Sequence, residues 1–79
     1  MKARFPTAFG IWLRGARQKL GLTRNAFAAE AGLAASTVRN VESHRHRLRP
    51  HTVAQMLRAV GQRDAALAQS APSVFDDAE

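Results

Sequence analysis

No cysteine occurs in this 79-residue chain, which excludes disulfides and thiolate metal clusters. That lack fits a cytoplasmic protein of bacterial or phage type. Long apolar runs are missing too, and none approaches the ~18–20 residues needed to span a bilayer. The start, MKARFPTAF, carries two cations with no apolar stretch behind them, so a secretory signal is not expected. Aromatic rings are few, which leaves little for stacking unpaired bases and disfavours RNA. Acids are scarce over most of the length. Residues 1–63 hold all 12 Lys and Arg but only Glu30 and Glu42, a net of +10; residues 64–79 hold four acids and no Lys or Arg. A small domain this basic attracts polyanions over long range. A membrane surface usually demands one continuous basic amphipathic helix, and here the cations are spread over several segments. Nucleic acid is the better partner.

What is present is helical periodicity, and no strand pattern accompanies it. At this length one modest core is expected, with residues 1–69 as the domain and 70–79 as an acidic, flexible tail. Phe9, Leu13, Ala16 and Leu20 recur at helical spacing and predict a first helix from a cap near Thr7 to about Leu20, stopped at Gly21. Thr23 caps a second helix that runs to about Ala31, and Gly32 supplies the turn. A third spans roughly Ala35 to Ser43, with no good cap at Ala34. His44–Arg49 reads as a basic loop. Pro50 opens a fourth helix carrying Val53, Met56, Leu57 and Val60 inward and ending at Gly61. Asp64–Gln69 adds a short fifth, capped by Asp64.

The stretch TRNAFAAEAGLAASTVRNVESH, residues 23–44, is the most informative. Two short helices meet at Ala31-Gly32-Leu33 in the order of a DNA-binding helix-turn-helix. The second of them offers Ala35, Ser36, Thr37, Arg39 and Asn40, short or hydrogen-bonding side chains with one cation and no acid. Such a surface suits a groove lined by phosphates.

Phe9-Gly10, Leu13-Arg14, Arg17, Gly21-Leu22-Thr23, Phe27-Ala28, Gly32-Leu33, Ser36-Thr37-Val38, Val41-Glu42, Pro50 and Leu57 through Gly61 form an ordered set. Over residues 9–61 the chain thereby resembles the phage-repressor/Cro-type (xenobiotic-response-element) helix-turn-helix family. The resemblance implies an all-α, compact four- to five-helix, lambda-repressor-like fold. It departs from the pattern at several points. Arg24 stands where relatives place a phosphate-anchoring Gln, Ala34 where they place a polar cap, and Ser43-His44 where they place Asn-Gly. Ile11 and Trp12 replace charges.

In such a fold the recognition helix enters the major groove while the preceding helix crosses the backbone. Ala35, Ser36, Thr37, Arg39 and Asn40 are then the base-contact candidates, with Arg39 matched to guanine and Asn40 to adenine or to a phosphate. Thr23, Arg24, Arg14, Arg45, Arg47 and Arg49 are the phosphate candidates. The family commonly pairs the positions of Arg17 and Glu42 by a salt bridge, which makes them fold-holding. His44, His46 and His51 lack the further ligands a metal needs, and the neighbouring arginines repel a cation; no metal or other cofactor is expected. No nucleophile–base–orienter set is recognisable, so the chain reads as a non-enzyme.

Domains of this type act as two-fold dimers on half-sites about one DNA turn apart, so a homodimer is expected. Its interface has two candidates. One is the C-terminal part, meaning the end of the fourth helix, Asp64–Gln69 and Val74-Phe75. The other is Ile11 with Trp12, unless Phe5 or Val74-Phe75 covers the indole. Two functions follow: a transcriptional regulator, most simply a repressor occluding a promoter, or an antitoxin or adaptor that binds DNA and a partner protein such as a toxin.

Overall fold

A computed structural model of the chain describes residues 8–43 and 49–72. Five helices follow one another: α1 (Ala8–Lys19), α2 (Arg24–Ala31), α3 (Ala35–Glu42), α4 (Pro50–Arg63) and α5 (Ala65–Gln69). No strand occurs among the described residues. The all-α expectation holds.

The two short connections before and after α2 share one device. After α1, the Leu22 N–H donates to the Arg17 carbonyl and the Gly21 N–H to that of Gln18. After α2, Leu33 donates to Ala28 and Gly32 to Ala29 in the same pattern. Each is a Schellman closure, which needs a left-handed residue, and Gly21 (φ 74°) and Gly32 (φ 73°) provide it without a Cβ penalty. The leucine after each glycine folds back onto the core. Gly32 and Leu33 therefore set the angle between α2 and α3, as Gly21 and Leu22 set that between α1 and α2.

Helical spacing explains the core. Phe9, Leu13, Phe27, Val38, Val41, Met56 and Val60 are fully buried. Each withdraws about 1.5–3 kcal/mol worth of apolar surface from water. α3 packs against α1 and α2, α4 against α2, and α5 against α4. Two polar ties reinforce this: Gln55 Nε2 on α4 donates to the Ala31 carbonyl at 3.0 Å, and Arg63 on α4 forks onto Glu30 on α2, with Nε at 2.8 Å from Oε1.

Some boundaries differ from expectation. α1 ends at Lys19, and Leu20, placed above in the core face, is half-buried in the turn; Leu57 is likewise only half-buried. Helix α4 does not stop at Gly61 but continues to Arg63. Glycine tolerates the right-handed helix as well as its exit, and the real break is Asp64, whose extended backbone (φ −156°, ψ 93°) leaves α4 while its carboxylate accepts from the Leu67 N–H at 3.0 Å. Asp64 thus caps α5 as expected. Thr7 lies outside the described residues.

Candidate nucleic-acid interface

Thr23 begins the site. Its hydroxyl accepts from the Ala26 N–H at 3.0 Å, which fixes the first turn of α2 and seats Arg24 and Asn25 at that end. Eleven residues on, Ala34 takes the same extended cap conformation but offers no side-chain bond to α3. The turn between the helices then brings the two N-terminal ends together. They flank an open concavity lined by Arg17, Thr23, Arg24, Asn25, Ala35, Ser36 and Arg39.

The concavity gathers two phosphate candidates, Thr23 and Arg24, with three base candidates, Ala35, Ser36 and Arg39. Ser36 and Arg39 are exposed, whereas Ala35 is partly committed to the core. Thr37 and Asn40 are half-exposed on α3 and do not line the concavity; the Asn40 carbonyl accepts from the Ser43 hydroxyl at 3.3 Å. Arg14 is exposed on α1 and Arg49 at the cap of α4, both off the concavity. Arg45, Arg47, His44 and His46 lie outside the described residues, and His51 is exposed in the first turn of α4. Asn25 was not singled out by sequence reasoning; its only signal is a polar residue following Thr23-Arg24 in a helix's first turn.

Charge at the site is arranged around one buried carboxylate. Arg17 Nε donates to Glu42 Oε2 at 2.7 Å and its second amino group to Oε1 at 3.1 Å, while the remaining amino group caps the Leu22 carbonyl at 2.9 Å. Arg24 Nε also donates to Glu42 Oε1, at 3.1 Å. The Glu42 side chain is 2% exposed and that of Arg17 10%, against 43% for Arg24. One acid thus joins α1, α2 and α3 and is hidden behind two cations. The surface facing the concavity keeps a cationic excess.

On the far side of α1 the two residues of the second interface candidate are placed differently. Ile11 is 60% exposed. Trp12 is not part of an open apolar pair with it: the indole packs against the core, 5.5 Å from the Phe9 ring, and donates to the Ser70 hydroxyl. Its amphipathic ring finds an apolar neighbour and a polar partner at once, the usual arrangement for tryptophan. Phe5, Val74 and Phe75 fall outside the described residues.

A family model described as a helix-turn-helix domain matches residues 8–70. That range takes in all five helices. Among curated proteins no match was found.

Proposed function

The chain belongs to the XRE/Cro-like group of helix-turn-helix domains, and from that membership we propose that it is a sequence-specific transcriptional regulator. It sets α3 in the major groove of double-stranded DNA, lays the N-terminal end of α2 on the backbone, and represses by occluding a promoter. Residues 1–69 form the binding unit. One copy reads few base pairs, so a two-fold dimer on half-sites one turn apart completes recognition.

One observation carries this reading. The concavity between α2 and α3 exposes Ser36 and Arg39 beside Arg24, while the acid of the same helix, Glu42, is buried and neutralised. A phosphate chain approaching α3 meets cations and hydroxyls and no bare carboxylate. Arg39 has the planar fork that matches the two acceptors of guanine, and Arg24 and Thr23 are suited to hold register on phosphates.

The test is fluorescence anisotropy on the gene's own upstream DNA and on a scrambled duplex, across 50–300 mM salt. Selective binding with a steep slope, near −5 if about six phosphates are neutralised, is the expected result. Equal, weak binding to both duplexes overturns the sequence-specific reading. It would favour an adaptor whose protein partner completes the DNA-binding unit.

A further inference from the structure

The two arginines on Glu42 are unequally used. Arg17 gives every edge of its guanidinium away inside the protein: Nε and one amino group to Glu42, the other to the Leu22 carbonyl. Arg24 gives only Nε, at 3.1 Å, and lines the open concavity with its side chain 43% exposed. Among the described residues its two terminal amino groups have no partner.

A guanidinium is a rigid plane with donors on more than one edge, so it engages a carboxylate on one side and a phosphate on the other without moving. Holding Nε still removes rotamer freedom that binding would otherwise have to remove. Glu42 can spare this bond because Arg17 already neutralises it. A lysine at the same position has one terminal ammonium and no second edge, and a glutamine has no charge.

We propose that Glu42 is a positioning residue for DNA: it holds Arg24 by Nε and so presents the free amino edge to a backbone phosphate. This rests on the DNA-binding reading above and adds to it a buried acid that serves the phosphate contact as well as the fold. In the bound state Arg24 bridges Glu42 and the phosphodiester, with no release of the inner bond. The departure from the family's Gln at this position is then a different way of anchoring the backbone: a fork fixed from behind.

The experiment uses the full chain with a short duplex of arbitrary sequence, because a phosphate contact is indifferent to sequence. The Nε–H signal of Arg24 is followed by NMR in ¹⁵N-arginine-labelled protein, assigned by its loss in Arg24→Lys. The signal is expected to stay protected from solvent exchange both free and on DNA. In parallel, Arg24→Ala is expected to weaken duplex binding on the order of tenfold and lower the salt slope by about 1. Arg24→Lys should restore the slope but not the affinity. Circular dichroism verifies that both variants are folded. Exchange of the Nε–H on DNA, full rescue by lysine, or an alanine variant with unchanged affinity and slope each overturns the proposal while duplex binding persists. A wild-type chain that binds no duplex sinks both readings.

Discussion

Trp12 donates its indole N–H to the Ser70 hydroxyl at 3.0 Å, joining α1 to the end of α5 across 58 positions of sequence. Ser70 passes the bond on, donating in turn to the Leu67 carbonyl at 2.6 Å. Because Trp12 is the only tryptophan in the chain, its emission reports whether α5 is docked.

Ser70→Ala is expected to cost about 0.5 kcal/mol, the low end for a hydrogen bond because this one is exposed. Tryptophan emission should shift to the red as the indole N–H turns to water. Trp12→Ala should cost more, about 2 kcal/mol, through lost packing on Phe9. Size-exclusion chromatography is expected to leave its oligomeric state unchanged. A shift to monomer in Trp12→Ala would place the indole in an interface after all.

Glu42→Gln leaves Arg17 buried with no charged partner. The expected cost is about 3–5 kcal/mol, which for a domain this small lowers Tm by well over 10 °C, at roughly 4–8 °C per kcal/mol. Thermal unfolding followed by circular dichroism reads this directly. An unchanged Tm refutes a structural role for the pair.

The opposite sign is expected at Ala34. Its backbone already has the cap conformation, yet no side chain satisfies the first N–H groups of α3. Ala34→Ser should raise stability by about 1 kcal/mol. Chemical denaturation at fixed slope would register the gain as a higher midpoint; a lower midpoint would mean that the hydroxyl finds no N–H to accept.

Glu30 gives the fold a pH dependence. The hydrogen bonds from Arg63 hold its carboxyl below the ordinary glutamate range, the nearby positive charge adds to this, and partial burial opposes it. The unfolded chain therefore takes up this proton more readily than the folded one. Stability from the pair is present at neutral pH, above the unfolded pKa, and is lost as pH falls through the lower folded value. In Glu30→Gln the deficit relative to wild type should be largest near pH 7 and shrink as carboxylates protonate. Urea titrations from pH 7 to 3 supply the comparison, and a deficit constant across that range would contradict it.

Arg39→Ala is expected to lose about 1–3 kcal/mol on the preferred site and to relax base preference. Equal loss on scrambled DNA would make Arg39 a phosphate contact instead. Competition binding with single-base variants of the site distinguishes the two.

Much of this was legible in the sequence because the signals were local. Thr23 and Gly32 bracket α2 within nine positions, and their roles follow from chemistry that acts within one turn. Spacing gives most core positions of α1 and α4, such as Phe9, Leu13, Val53, Met56 and Val60, though Leu20 and Leu57 from the same reading are only half-buried. The Arg17–Glu42 contact spans 25 residues and rested on family resemblance, with no signal of its own in spacing. What remained hidden was equally non-local. Arg24 reaches Glu42 over 18 residues and Arg63 reaches Glu30 over 33, distances at which no periodicity speaks. Gly61 misled because glycine marks a helix end only when the backbone turns left-handed there, and here it stays in α4. The partner of Trp12 was not legible either, because Ser70 lies 58 positions away, beyond the reach of helical phase.

Helix α3 spends its eight residues on two separate tasks. Val38, Val41 and Glu42 face inward and hold three helices in place, while Ser36 and Arg39 carry none of the core. A lineage can therefore rewrite the outward letters one at a time without passing through an unfolded ancestor. If the outward residues read DNA as proposed, changing the DNA address and keeping the scaffold are separable events, with drift open in the one and closed in the other.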